Sequence, residues 1–191
     1  MSNPILKSTL IILRGNSASG KTTIAKQLQE HFGQGTLLVS QDVVRRDMLR
    51  VHDTMGNLSH DLLFEITKYG KGKCEFVILE GILNSRRYGE MLKELIHYFE
   101  GNAYTYYFDL SLEETIRRHN TREKRHEFSE DSLLKWYNPH DIIKVARETI
   151  FTDNFTQKDI FDAILNDVMV RKQDRQNMSV LFSLCYILDL L

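Results

Sequence analysis

The stretch Gly15-Asn16-Ser17-Ala18-Ser19-Gly20-Lys21-Thr22 constrains this chain more than any other. It follows the apolar run Leu10-Ile11-Ile12-Leu13 and precedes Ile24, Ala25, Leu28 and Phe32 at helical spacing, so the loop joins a strand to a helix. The glycines let the backbone curl until successive N–H groups point inward, and the positive end of the next helix adds to the attraction for an anion. In such a loop the lysine reaches the β- and γ-phosphates, and the hydroxyl after it ligates Mg²⁺. The expected cofactors are ATP and Mg²⁺. The expected nucleotide contacts are Gly15, Asn16, Ser17, Ala18, Ser19, Gly20, Lys21, Thr22 and Thr23.

A length of 191 residues suits one domain with a sizeable core. Hydrophobic residues make up 42% and charged residues 27%, as in ordinary globular proteins. A net charge of −1 provides no global field toward nucleic acid or an anionic membrane, so any recognition of polyanions must be local. Cys74 and Cys185 are far apart and have neither disulfide nor metal spacing, which suits a reducing cytoplasm. Met1 to Ile5 lacks a charged segment leading into a long apolar one, which argues against secretion.

Beyond the loop, apolar runs alternate with helical patterns. Thr36 to Ser40 reads as a short buried strand ending in Gln41-Asp42, and Phe76 to Leu79 as another ending in Glu80-Gly81. Helices are expected over Val43 to Arg50, through Leu62 to Tyr69, and from Tyr88 to Phe99. Ala103 to Leu110 is β-rich, with both faces apolar. Ser111-Leu112-Glu113-Glu114 has the form of a capping box opening another helix. A short helix near Glu130 to Tyr137, one near Ile142 to Arg147, a strand at Thr149 to Thr152 and a last helix from Thr156 to Val168 complete the core. Continuous apolar strands between helices indicate an α/β fold, a parallel sheet with helices on both faces. Ligands on such sheets gather at the carboxyl ends of the strands, a rim that here holds Gly15, Asp42, Glu80, Asp109 and Asp153.

These motifs together resemble the P-loop small-molecule kinases: nucleoside and nucleotide kinases, chloramphenicol phosphotransferase, zeta toxins and the kinase domain of polynucleotide kinase. The resemblance runs from about Leu10 to Val168. It rests on the phosphate loop, on Ser40-Gln41-Asp42, on Leu79-Glu80-Gly81 and on Asp109 to Thr115 leading into arginines. Ser-Gln-Asp is especially similar to uridine kinases. The resemblance implies the P-loop NTPase fold with a five-stranded parallel sheet in the order 2-3-1-4-5, an acceptor hydroxyl beside the second-strand acid, and a mobile lid after the fourth strand. The kinase domain then spans 1–170, with the lid at about 112–137, followed by an apolar extension at 171–191.

Candidate roles stand beside plainer ones. Asp42 is the expected catalytic base, and it would equally cap the next helix. Glu80 would hold a Mg²⁺-bound water or position the acceptor, with Thr22 as the other metal residue, or would form an internal ion pair. Arg45 and Arg46 suit a grip on a substrate phosphate or carboxylate, or a solvated helix face. Arg118, Arg122 and Arg125 share one helix face, as either a closing lid or surface charge. The catalytic set is therefore Lys21, Asp42, Arg118 and Arg122, and the substrate set Asp42, Arg45, Arg46 and Glu80. Asp109 reads as structural, and His119 and His126 as solvated. Trp136, Asn138 and His140 suit either stacking on or selecting a base, or plain packing, and stay outside the site. In the extension a polar linker, Arg171 to Asn177, leads into Met178 to Leu191, which is apolar but too short to span a bilayer. Packing on the core, homodimerisation and loose order are all open to it.

The reading that follows is an ATP- and Mg²⁺-dependent kinase acting on a hydroxyl of a small molecule, with a nucleoside among the candidates. A zeta-toxin-like or polynucleotide 5′-hydroxyl kinase is the alternative, with nucleic acid disfavoured but open. A nucleotide-dependent switch is the third, and its GTPase form is disfavoured because no Asn-Lys-x-Asp motif occurs.

Overall fold

The computed structural model describes residues 6–121, 129–144 and 148–170. Its centre is a five-stranded parallel sheet in the order β2-β3-β1-β4-β5, built from β1 (Thr9–Gly15), β2 (Leu37–Ser40), β3 (Phe76–Gly81), β4 (Ala103–Phe108) and β5 (Glu148–Phe151). This is the sheet order that the kinase resemblance implies. Helices α1 (Lys21–Phe32), α2 (Ser59–Gly70), α3 (Ser85–Tyr98), α4 (Leu112–Asn120), α5 (Glu130–Trp136) and α6 (157–170) connect and cover it. Among the described residues, no helix is long and apolar enough to cross a membrane.

Strand side chains alternate between faces, so β1 feeds two cores at once. Ile11 and Leu13 pack with Ile24 and Leu28 of α1 and Ile160 and Ile164 of α6. Leu10 and Ile12 pack with Leu63 of α2 and Tyr88, Leu92 and Leu95 of α3. The same alternation sets the polar ends of the strands. Leu13 is level with Glu80, which places Glu80 on the α1 side. Arg14 is level with Gly81 and Tyr107, on the opposite face.

Two helical expectations are corrected. The segment after β2 is a wide π-helical turn, Val43–Met48, in which Leu49 N–H donates five residues back to Val44 O (3.1 Å). Residues 141–144 are irregular, because side chains take up their backbone N–H groups: Asp141 N donates to the Tyr107 hydroxyl (3.1 Å) and Ile143 N to Glu148 Oε2 (2.8 Å). Residues 145–147, the end of that expected helix, lie outside the described residues.

Gly15 ends β1 at φ +143°, and a Cβ there would lie 2.5 Å from Phe108 O. We expect Gly15→Ala to lose at least about 2 kcal/mol of stability. In a thermal melt that is roughly a 4–8 °C lower Tm.

Candidate active site

The phosphate loop opens α1 through Gly20, which sits in the left-handed region at φ +98°. Lys21 is buried, and its Nζ donates to Asn16 O (2.6 Å) and Ser19 Oγ (3.0 Å), so the ammonium holds the loop in a curl around itself. Glu80 receives two hydroxyls, Thr22 Oγ1 (3.0 Å) from the loop helix and Ser40 Oγ (2.5 Å) from the end of β2. Two hydroxyls and a carboxylate on one spot are hard oxygen donors, the chemistry that suits Mg²⁺. The left-handed glycine, the buried lysine and this oxygen set fit a bound nucleotide and its metal.

Asp42 is 56% exposed, and a single oxygen, Oδ1, pairs with Arg45 (3.0 Å) and Arg46 (3.2 Å). Both arginines come from the π-helical turn. Arg118, on α4, donates from Nη1 to Ser19 O (3.0 Å) and from Nε to Glu114 Oε1 (2.6 Å), which brings it against the phosphate loop. Arg122 and Arg125, its expected companions, lie outside the described residues, as does His126.

Ser111 does cap α4, accepting from Glu114 N (3.1 Å), but Glu114 does not complete the expected capping box. Its carboxylate turns to the charged donors of Arg117 and Arg118 one turn on, and Asp153 Oδ1 accepts the Ser111 N–H (3.0 Å) in its place. Hydrogen bonds from Arg117, and then from Arg118, bring its pKa down to about 2. A lowered folded pKa means that this contribution is present above the ordinary carboxyl range and is lost as pH falls toward about 2. In an NMR titration, the Glu114 carboxyl should stay ionised at pH values where exposed glutamates have already protonated.

His119 is buried, not solvated: it lies one turn after Thr115 on the inner face of α4. Asp109 accepts from His140 N (3.0 Å) and faces the His140 ring Nδ1 (2.5 Å).

Two features escaped the sequence reading. One is Arg14, fully buried, which forks onto Asp141 (2.6 Å) and Glu148 (2.8 Å), donates to Leu83 O (3.3 Å) and lies over the Tyr107 ring (4.7 Å). Burial is the main cause that raises the Glu148 carboxyl above its usual range, with Arg14 opposing it. The only sequence signal was a charged residue directly after a buried apolar run. The other is the segment 136–138. Asn16 Nδ2 donates to Asn138 O (3.1 Å), and Asn138 N donates back to Asn16 Oδ1 (2.9 Å). Tyr107 adds its hydroxyl to Asn138 O (3.0 Å). Residues set aside as packing therefore border the phosphate loop.

Between these parts lies a cleft of about 590 Å³, bounded by Gly15 and Asn16 on one side. Its other walls include Arg45 and Arg46 of the π-helical turn, Arg87 of α3, and Trp136.

A parallel sheet of this order, with a phosphate loop after its central strand, defines a P-loop kinase fold. The family model described as an AAA domain matches residues 10–137, and the chain belongs to this P-loop kinase-like family. Among solved structures the chain is similar to a gluconokinase from Sinorhizobium meliloti, at 14% identity and TM-score 0.63, covering 92% of this chain and 99% of that one. It is similar to the APS kinase of Mycobacterium tuberculosis in complex with AMPPNP and APS, at 14% identity and TM-score 0.60, covering 85% and 98%. It is also similar to the Deinococcus radiodurans tunicamycin resistance protein, at 14% identity and TM-score 0.55, covering 84% and 95%. At these identities the likeness concerns the fold. No curated protein sequence matches the chain.

Proposed function

We propose that this chain is an ATP- and Mg²⁺-dependent kinase that transfers the γ-phosphoryl group to a hydroxyl of a small molecule. The observation that carries this reading is the shared wall at Gly15 and Asn16, which puts a cleft for a second molecule directly against the phosphate loop. A nucleotide switch has no need of such a cleft. Its volume, about 590 Å³, suits a metabolite. The fold likeness to a gluconokinase and an APS kinase supports the same class.

When bound, ATP supplies the phosphoryl group and Mg²⁺ draws charge from its oxygens, with Thr22 and Glu80 as the residues to hold the ion. Gly15 to Thr23 cradle the phosphates, and Lys21 gives up its loop partners to neutralise them. The acceptor oxygen bonds to the γ-phosphorus as the bond to the bridging oxygen breaks, and Asp42 takes the acceptor's proton. Arg45 and Arg46 tether Asp42 and line the cleft. Arg118 stabilises the charge spread over the moving phosphoryl group, with Arg122 as its companion in the lid at about 112–137. The kinase domain of this reading is 1–170, working in the cytoplasm, a compartment where ATP is available.

The test is Mg²⁺-dependent ADP release from ATP against a panel of sugar acids, nucleosides, antibiotics and a short 5′-hydroxyl oligonucleotide. Stimulation by one acceptor class should fall about 10²- to 10⁴-fold in Asp42→Asn. ATP binding without phosphorylated product from any panel member or from cell extract would sink the reading.

A further inference from the structure

The basic residues around the cleft exceed what its acids account for. Arg45, Arg46, Arg87 and Lys135 line it, against Asp53 and Asp141, on a chain whose net charge is −1. Asp141 is already committed to Arg14 and to the backbone N–H and hydroxyl of Ser85. Asp53 accepts from the Tyr88 hydroxyl (2.7 Å) and pairs with Arg87 (2.9 Å). Asp42 serves both Arg45 and Arg46 through one oxygen.

Two of the guanidiniums are also incompletely satisfied. Arg45 donates from Nη1 to Val51 O (3.3 Å) and from Nη2 to Asp42, while its Nε is buried with no hydrogen-bond partner. The Nε of Arg87 is likewise buried and without a partner. Each guanidinium therefore keeps hydrogen-bonding capacity that the protein does not use.

We propose that the acceptor is anionic, a small molecule carrying a carboxylate, sulfate or phosphate group that seats on Arg45 and Arg87, with Arg46 and Lys135 adding to the field. The word acceptor rests on the kinase reading; the anion site does not. A neutral nucleoside is accordingly a poor substrate.

The anion site is tested with ¹⁵N-labelled full-length protein loaded with Mg²⁺ and AMPPNP, so that the phosphate loop is filled. Arginine Nε–H signals are followed while sulfate replaces chloride at constant ionic strength. Two signals, assigned through Arg45→Gln and Arg87→Gln, should move and saturate in the millimolar range, and each variant should weaken the binding about 10- to 100-fold. A shift that stays linear in sulfate, or that saturates unchanged in both variants, overturns the proposal.

A second arm compares ADP release with gluconate against sorbitol and with uridine 5′-phosphate against uridine. Preference for the charged member, lost in the two variants, supports it. Preference for the neutral member overturns it and leaves the kinase reading standing. Arginine-dependent sulfate binding with no transfer to any acceptor keeps the anion site and overturns the kinase reading instead.

Discussion

Arg14→Met should cost about 3–5 kcal/mol, because it strands two buried carboxylates that the guanidinium now neutralises. For a chain of this length that is a Tm lower by roughly 6–20 °C. Methionine fills much of the same space, so the loss reports charge more than cavity. The pH dependence separates the two. Glu148 already holds its proton more tightly than a free carboxyl, through burial, and losing Arg14 removes the influence that opposes this. A carboxyl with a raised folded pKa favours the folded state below its unfolded pKa, and that favour is lost as pH rises through the folded value. The deficit of Arg14→Met should therefore be smaller near pH 5 than near pH 7.5 in thermal melts. A deficit equal at both pH values would assign the loss to packing.

Lys21→Ala should lower phosphoryl transfer by about 10²- to 10³-fold, the range for removing one well-placed donor from a developing charge. Lys21 is buried and bonded to Asn16 O and Ser19 Oγ, so its loss also relaxes the loop. Lys21→Arg should not restore activity, since a planar fork cannot occupy the place of a compact ammonium inside so tight a curl. Both variants are read by kcat and by nucleotide affinity, with circular dichroism to confirm the fold. Transfer at wild-type rate in Lys21→Ala would remove the loop from the chemistry.

Much of this arrangement was legible in the sequence, because it is local. The Gly15 to Thr22 loop specifies its own curl, and the apolar runs at Leu10 to Leu13 and Phe76 to Leu79 specify buried parallel strands. Sheet order came through the family resemblance, since nothing in a single run states its neighbours. Glu80 was singled out by its place at a strand end, yet its partners Thr22 and Ser40 follow only from register. The Arg14 cluster was invisible for the same reason: Arg14 lies more than a hundred residues from both Asp141 and Glu148 and meets them only once β1, β4 and β5 are side by side. The irregular path at 141–144 defeated a propensity argument, because tertiary partners take its N–H groups. Trp136 and Asn138 were set aside because a lone aromatic near a helix end carries no ligand signal by itself.

The two-way amide pairing of Asn16 with Asn138 gives one side chain two allegiances. Asn16 belongs to the phosphate loop and also fastens the far wall of the cleft. Any readjustment of the loop around a nucleotide is therefore transmitted to that wall without an intervening element. Linkage then works in both directions: to whatever extent nucleotide improves the fit for the second substrate, the second substrate tightens nucleotide by the same factor.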